Sequence, residues 1–89
     1  MFTKFPELLK ASIRNLRNFL ETEVDLGITF AQIAEAQRRK GNAERYEVSK
    51  QNAITALEAI DRFKVRLPRD LKAQIEGRRA QLAELISTL

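Results

Sequence analysis

The sequence predicts an all-α fold: a three-helix bundle in which a long first helix pairs with an antiparallel second helix and a third helix packs on this hairpin. Apolar residues recur at intervals of three and four over most of the 89-residue chain, which is the pattern of a buried helix face. Gly41-Asn42 and Pro68 interrupt this pattern, so they divide the chain into three helices. A chain of this length favours one domain, and we expect a single helical domain over residues 1–89.

The first helix is predicted to run from Pro6 to about Arg39, a length of roughly 50 Å. Proline suits the first turn of a helix because its missing N–H is not needed there. The apolar stripe then repeats at intervals close to a heptad pattern. Its first members are Leu9, Ile13, Leu16, Leu20 and Val24. Gly27 lies in the same stripe, and we expect it to allow a neighbouring helix to pack closely.

A break near Thr22 is the alternative to one continuous first helix. The sequence Thr22-Glu23-Val24-Asp25 has the form of a helix-capping signature, which would start a new helix at this point. Residues 6–20 would then fold back as the fourth helix of a four-helix bundle. The continuous helix is favoured because the apolar stripe keeps its phase through Thr22.

The turn between the first two helices has matching stop and start signals. Three cations fill the last turn before Gly41, where they meet the negative end of the helix dipole. Gly41 can adopt the left-handed conformation that closes a helix, and Asn42 is a favourable N-cap for the next one. We therefore expect a second helix over residues 43–64, antiparallel to the first.

Pro68 marks the start of the third helix, which is expected over residues 69–87. It pushes Leu67 out of the helical region, so the second helix must end before that residue. It also suits the first turn of the helix that follows. The three helices are expected to bury nine side chains in one core. These are Ile33, Ala34, Tyr46, Ala53, Leu57, Ile60, Leu71, Ile75 and Leu82.

Residues 6–20 are predicted to extend beyond the bundle and to mediate dimerisation. The second and third helices are each about 30 Å long, against about 50 Å for the first, so part of the first helix has no partner within the chain. Monomers rarely keep such an apolar stripe exposed, and a second copy would bury it on both chains. The basic segment 1–20 of one chain would lie beside the acidic segment 21–35 of the other. The expected dimer face consists of Leu9, Ile13, Leu16 and Leu20.

The composition excludes several chemistries. The chain has no cysteine and no histidine, which removes thiolate and imidazole metal ligands, cysteine nucleophiles and the histidine base of most catalytic triads. We therefore predict no enzyme activity, no catalytic residue, no metal site and no cofactor. There is also no run of about 18 apolar residues to span a membrane and no recognisable signal peptide. Because it forms no disulfide, the chain is expected in the cytoplasm.

The charge pattern leaves two alternative functions open. Basic residues concentrate around the second turn, where they would favour contacts with nucleic-acid phosphates. They are Arg62, Lys64, Arg66, Arg69 and Lys72. Residues 5–20 place apolar side chains on one helix face and cations on the other, which is also the pattern of a helix that lies on a membrane surface.

The hairpin resembles a tetratricopeptide unit. Ala34, Gly41 and Ala53 have the spacing at which these repeats place small residues and a turn glycine, although Tyr46 stands where the repeats have a small residue. With the third helix, the hairpin is also similar to the microtubule-interacting-and-trafficking domain, and segment Leu26–Phe30 is similar to one in small bacterial proteins of unassigned function. Both named families bind peptides in helix-lined grooves. The resemblance therefore implies a protein-interaction or scaffold module with a protein partner, and nucleic-acid binding is the alternative.

Overall fold

The computed structural model describes residues 4–89, with side chains from residue 9 onward, and it confirms the predicted all-α class. The elements, in chain order, are α1 (Lys4–Lys40), α2 (Ala43–Phe63), a short 3-10 helix (Lys64–Arg66) and α3 (Arg69–Ser87). No strand occurs within the described range. The predicted helix boundaries agree with these to within about two residues, which is the usual uncertainty of helix ends.

The first helix is continuous, so the alternative of a break near Thr22 and a four-helix bundle is wrong. The stripe that faces the rest of the bundle stays in phase through this point, because Leu20 and Val24 are both fully buried and Gly27 follows on the same side. Thr22 lies exposed between them. A capping sequence therefore does not end a helix whose apolar face continues without a shift.

The turn at Gly41 has the geometry that the sequence predicts. Gly41 has a positive φ of 75°, and its N–H donates to the carbonyl of Arg38 at 3.1 Å. The N–H of Asn42 donates to the carbonyl of Gln37 at 3.0 Å, which completes a Schellman motif at the end of α1. The Asn42 side chain then accepts a hydrogen bond from the N–H of Arg45 at 3.1 Å and caps α2.

Close contact between the helices depends on small residues. A Cβ at Gly27 would lie 2.6 Å from Cδ2 of Leu82 on α3 and 3.2 Å from Cβ of Ala56 on α2. Ala31, Ala34, Ala53 and Ala56 are buried along the same α1–α2 contact. The prediction that Gly27 serves close packing is confirmed. The larger side chains of the core gather around this contact, and they are Leu20, Val24, Ile60, Leu67, Ile75 and Leu82.

The predicted core is correct in part. Ala34, Ala53, Ile60, Ile75 and Leu82 are buried, whereas three further members of the predicted set are only half-buried. Those three are Tyr46, Leu57 and Leu71. The prediction that Ile33 is buried is wrong, because this residue is 39% exposed. The α2 backbone approaches the small residues of α1 rather than its large ones, so Ala31 faces inward where the sequence reading placed Ile33.

The molecule is long and thin. Its principal extents are 60 × 19 × 15 Å, and its radius of gyration is 16.0 Å, against about 12 Å for a compact domain of this length. It exposes 6395 Å² of surface, roughly 1100 Å² more than a monomer of its mass usually does. Both values follow from the length of α1, and they leave few large side chains to form a core.

Candidate interaction surfaces

The four residues of the predicted dimer face on α1 lie in two different environments. Leu20 is fully buried in the core and Leu16 packs against it, so the expectation that these two lack an intrachain partner is wrong. The prediction compared only the lengths of the three helices, whereas the turn after α2 also contributes Leu67 to this core cluster. Leu9 remains 53% exposed and Ile13 half-buried. We call residues 9–13, which continue the core stripe past the bundle, the overhang.

A second apolar surface lies on the side of the α1–α2 layer that faces away from α3. We call it the open face, and it consists of Phe19, Leu26, Phe30 and Ile33 on α1 with Val48 and Phe63 on α2. The α3 helix lies against the opposite side of α1, where Arg78 donates to Asp25 at 2.6 Å and Ile28 packs against the core. Because an α-helix turns about 100° per residue, the side chains of Leu26 and Ile28 point in nearly opposite directions, about 160° apart.

The open face has an apolar pair at each end and Leu26 between them. At one end the rings of Phe19 and Phe63 meet edge to face, with centroids 5.7 Å apart. At the other end Ile33 and Val48 line a shallow depression of about 470 Å³. Val48 is 56% exposed and Leu26 is 44% exposed. The two ends are roughly 21 Å apart along α1, which suits the apolar stripe of another helix.

Charged residues are scarce on the open face and frequent elsewhere. Between Phe19 and Gln37, the other α1 side chains on this side or at its outer edge are uncharged, namely Thr22, Thr29, Ala36 and Gln37, and the exposed Lys40 follows at the end of the helix. Glu23 lies half-buried at its inner edge, and the exposed charges of Glu44 and Arg45 border the depression. At the other end, the exposed Arg66 guanidinium lies 5.3 Å from the centre of the Phe63 ring. In contrast, the ion pairs recorded among residues 9–89 lie toward α3, as those of Asp25 and Asp61 show. An uncharged centre with a charged rim is the usual composition of a protein interface.

The charges on the α3 side hold the bundle together. Arg79 of α3 donates two hydrogen bonds to the Asp61 carboxylate of α2, at 2.8 and 3.0 Å. The Nζ of Lys64 lies 3.2 Å from Oδ1 of Asp61 and 3.6 Å from Oε1 of Glu76. The Arg79 hydrogen bonds, assisted by Lys64, lower the pKa of Asp61, and the same hydrogen bonds raise the pKa of Arg79. These groups therefore link α2 to α3.

A similar group lies where α1 ends. Glu35 accepts from Arg38 at 2.6 Å and from Arg39 at 3.1 Å, and the hydrogen bond from Arg38 is the main reason why the pKa of Glu35 is lowered. Arg38 also donates to the main-chain oxygen of Thr88 at 3.3 Å. These contacts tie the end of α3 to α1, so they serve the fold.

The predicted basic patch is partly engaged within the chain. Lys64 is only 19% exposed and is paired with Asp61 and Glu76. The Arg66 guanidinium lies 5.3 Å from the centre of the Phe63 ring. Arg62 and Arg69 are exposed, and Lys72 is half-buried. The five residues therefore do not offer five free cations.

Sequence reasoning missed the open face, although the sequence contains a signal for it. Phe19, Leu26 and Ile33 are spaced seven residues apart, which places them on one side of a helix. This second apolar stripe runs beside the core stripe, and the prediction was based only on the core stripe, which is longer.

Comparisons of the chain with protein-family models, with curated proteins and with solved structures gave no match. The resemblances to tetratricopeptide units and to microtubule-interacting-and-trafficking domains stay predictions. Within residues 4–89, no helix combines the length and apolarity needed to cross a membrane. The described residues also contain no group of three histidine, cysteine, aspartate or glutamate side chains placed to hold a metal ion.

Proposed function

We propose that this chain is a protein-interaction module whose binding surface is the open face. The observation that supports this most is the exposure of Leu26, Ile33 and Val48 on a surface whose charges lie at its two ends and edges, in a chain where 31% of residues are charged. Single exposed apolar residues are normal, but a contiguous patch with a polar rim marks a binding site.

The surface fits a helical partner. The open face is formed by two antiparallel helices with apolar pairs at both ends, and an amphipathic helix can place its apolar stripe along it. The open face is rigid because its backbone belongs to α1 and α2, so little conformational entropy is lost when a partner binds. The tetratricopeptide resemblance supports the same function, since that family also binds through helix-lined surfaces.

Binding to nucleic acid has less support. Phosphate recognition needs cations that are free to replace counterions, and Lys64 is ion-paired while Arg66 lies on Phe63. We also propose a cytoplasmic location, on the sequence argument that a chain without cysteine needs no oxidising compartment.

Site-specific photo-crosslinking in the source cells tests the proposed function. A photoreactive phenylalanine analogue replaces Leu26 in one variant and Ala80 in the control, because Ala80 is exposed on the outer side of α3. We expect a discrete crosslinked protein product from position 26 and none from position 80. Equal labelling from both positions, or no product from position 26, contradicts the proposal.

A further inference from the structure

We propose that the occupant of the open face is a second copy of this chain, packed antiparallel about a two-fold axis that passes beside Leu26. This inference rests on the proposed function, because it names the partner for the same surface. It moves the expected self-association from the predicted face of Leu9, Ile13, Leu16 and Leu20 to the open face.

The spacing on α1 is symmetric about Leu26. Phe19 and Ile33 each lie seven residues from it, on the same side of the helix. A two-fold axis perpendicular to α1 at Leu26 therefore places Phe19 opposite Ile33 of the partner subunit, and the two copies of Leu26 opposite each other. A two-fold contact needs such a self-complementary patch.

The α2 helix has the same symmetry at the same level. The midpoint between Val48 and Phe63 falls between residues 55 and 56 of α2. Ala56 lies beside Gly27 of α1, and Gly27 is the residue after Leu26, where the proposed axis passes. One axis therefore relates both pairs. It places the Phe19–Phe63 aromatic pair of one copy on the smaller aliphatic pair formed by the partner's Ile33 and the partner's Val48.

Size and charge agree with this arrangement. The end pairs of the face are about 21 Å apart and the face is two helices wide, which gives a footprint of roughly 400 Å² per copy. Two copies then bury about 800 Å², which is the size of a weak or transient interface, so we expect micromolar rather than nanomolar affinity. Each chain carries a net charge of +4, but Lys10, Arg14 and Arg17 point about 120–180° away from Leu26 around α1.

Cysteine crosslinking tests the axis directly, because the natural chain has no cysteine. Leu26→Cys, Phe19→Cys, Ile33→Cys and Leu9→Cys are prepared in the full chain, and each is oxidised alone. An equimolar mixture of Phe19→Cys and Ile33→Cys is also oxidised. Sedimentation equilibrium on the unsubstituted chain gives the oligomeric state without any substitution at the face.

The antiparallel dimer predicts that Leu26→Cys forms a disulfide-linked dimer by itself. Phe19→Cys alone does not, because its two copies lie about 21 Å apart along the helices. The Phe19→Cys and Ile33→Cys mixture forms the mixed disulfide. This pattern, together with a dimer of the unsubstituted chain, supports the proposal.

The remaining outcomes overturn it. Crosslinking of Leu9→Cys without Leu26→Cys shows that the chain dimerises through the overhang. A dimer in which neither cysteine reacts shows another arrangement. A monomer at all concentrations shows that the face has no second copy as its occupant. In that case the photo-crosslink from position 26 still decides whether a different protein binds there, so the two proposals fail separately.

Discussion

The two sides of the α1–α2 layer are built from the same two helices but have different neighbours. On the side covered by α3, Leu82 and Ile75 are buried and two ion pairs bind α3 to α1 and α2. On the open face, Leu26 and Val48 remain exposed and the charges lie mainly at the rim. The difference shows that apolar spacing alone does not mark the core. Whether a stripe serves stability or binding depends on which element covers it.

The covered side should lose the most stability when it is truncated. Leu82→Ala removes a fully buried side chain that packs on Gly27, and we expect a loss of about 2–5 kcal/mol in the free energy of unfolding. Leu26→Ala is the control on the open face and should cost under about 1 kcal/mol in dilute solution. Urea unfolding followed by circular dichroism measures both. Equal losses in the two variants would remove the distinction between the sides.

The close helix contact at Gly27 lies on the covered side of the layer. Gly27→Ala places a methyl group 2.6 Å from the buried Leu82 and 3.2 Å from the buried Ala56, so a neighbouring side chain must shift. We expect overpacking to cost about 1–3 kcal/mol, more than the roughly 0.8–1 kcal/mol that alanine adds to helix stability. The melting temperature should fall. A rise would mean that the helices are less closely packed than the structure shows.

Gly77 is the matched control for Gly27, because it also lies inside a helix. A Cβ at Gly77 would meet no atom within 4 Å, so Gly77→Ala should stabilise the protein by about 0.5–1 kcal/mol through helix propensity alone. The melting temperatures of the two glycine variants should therefore shift in opposite directions. A loss of stability in Gly77→Ala would contradict the exposed position of this residue.

The smallest effect is expected from the ion pair between α2 and α3, and it should depend on pH. Arg79 lowers the pKa of Asp61 below its ordinary value of 3.8, so the stabilisation is complete above that value and is lost as the pH falls through the lower folded-state pKa. Because Asp61 is partly exposed, Asp61→Asn should cost about 0.2–1 kcal/mol at neutral pH.

Unfolding curves at pH 7 and at progressively lower pH test this pair. The difference in stability between the natural chain and Asp61→Asn should shrink as the pH falls below about 4. Glu58→Gln, a change at an exposed carboxylate one turn away on α2, is the control and should show no comparable trend. A difference that grows toward acid pH would contradict the assigned direction of the Asp61 pKa.

The backbone could be predicted from the sequence because its signals are local. Gly41, Asn42 and Pro68 each act through their own conformation, so the helix boundaries followed from them. The side of α1 that faces α2 was harder to predict. Ala31 and Ile33 both fit a helical spacing, and only the position of α2 decides which of them is buried. The sequence reading chose the larger side chain, whereas the close helix contact requires the smaller one.

The interaction surface was less predictable for a related reason. Helix lengths alone indicated an uncovered stripe at Leu16 and Leu20, but both pack in the core cluster, to which the turn after α2 also contributes Leu67. The open face becomes visible only when the position of α3 is known, because α3 could have packed on either side of the hairpin. Its heptad spacing is present in the sequence, but it does not show which side is left uncovered.

The role of the open face as the contact between two copies of the chain can be tested most directly by sedimentation equilibrium on three proteins at about 50 µM, a concentration suited to a micromolar dimer. They are the natural chain, Leu26→Glu on the open face and Ala80→Glu on the outer side of α3 as a control. We expect a mass of twice 10.2 kDa for the natural chain and for the control, and a mass of 10.2 kDa for Leu26→Glu with unchanged helicity. A natural chain that stays at 10.2 kDa, or a Leu26→Glu variant that still dimerises, would show that the open face does not hold two copies together.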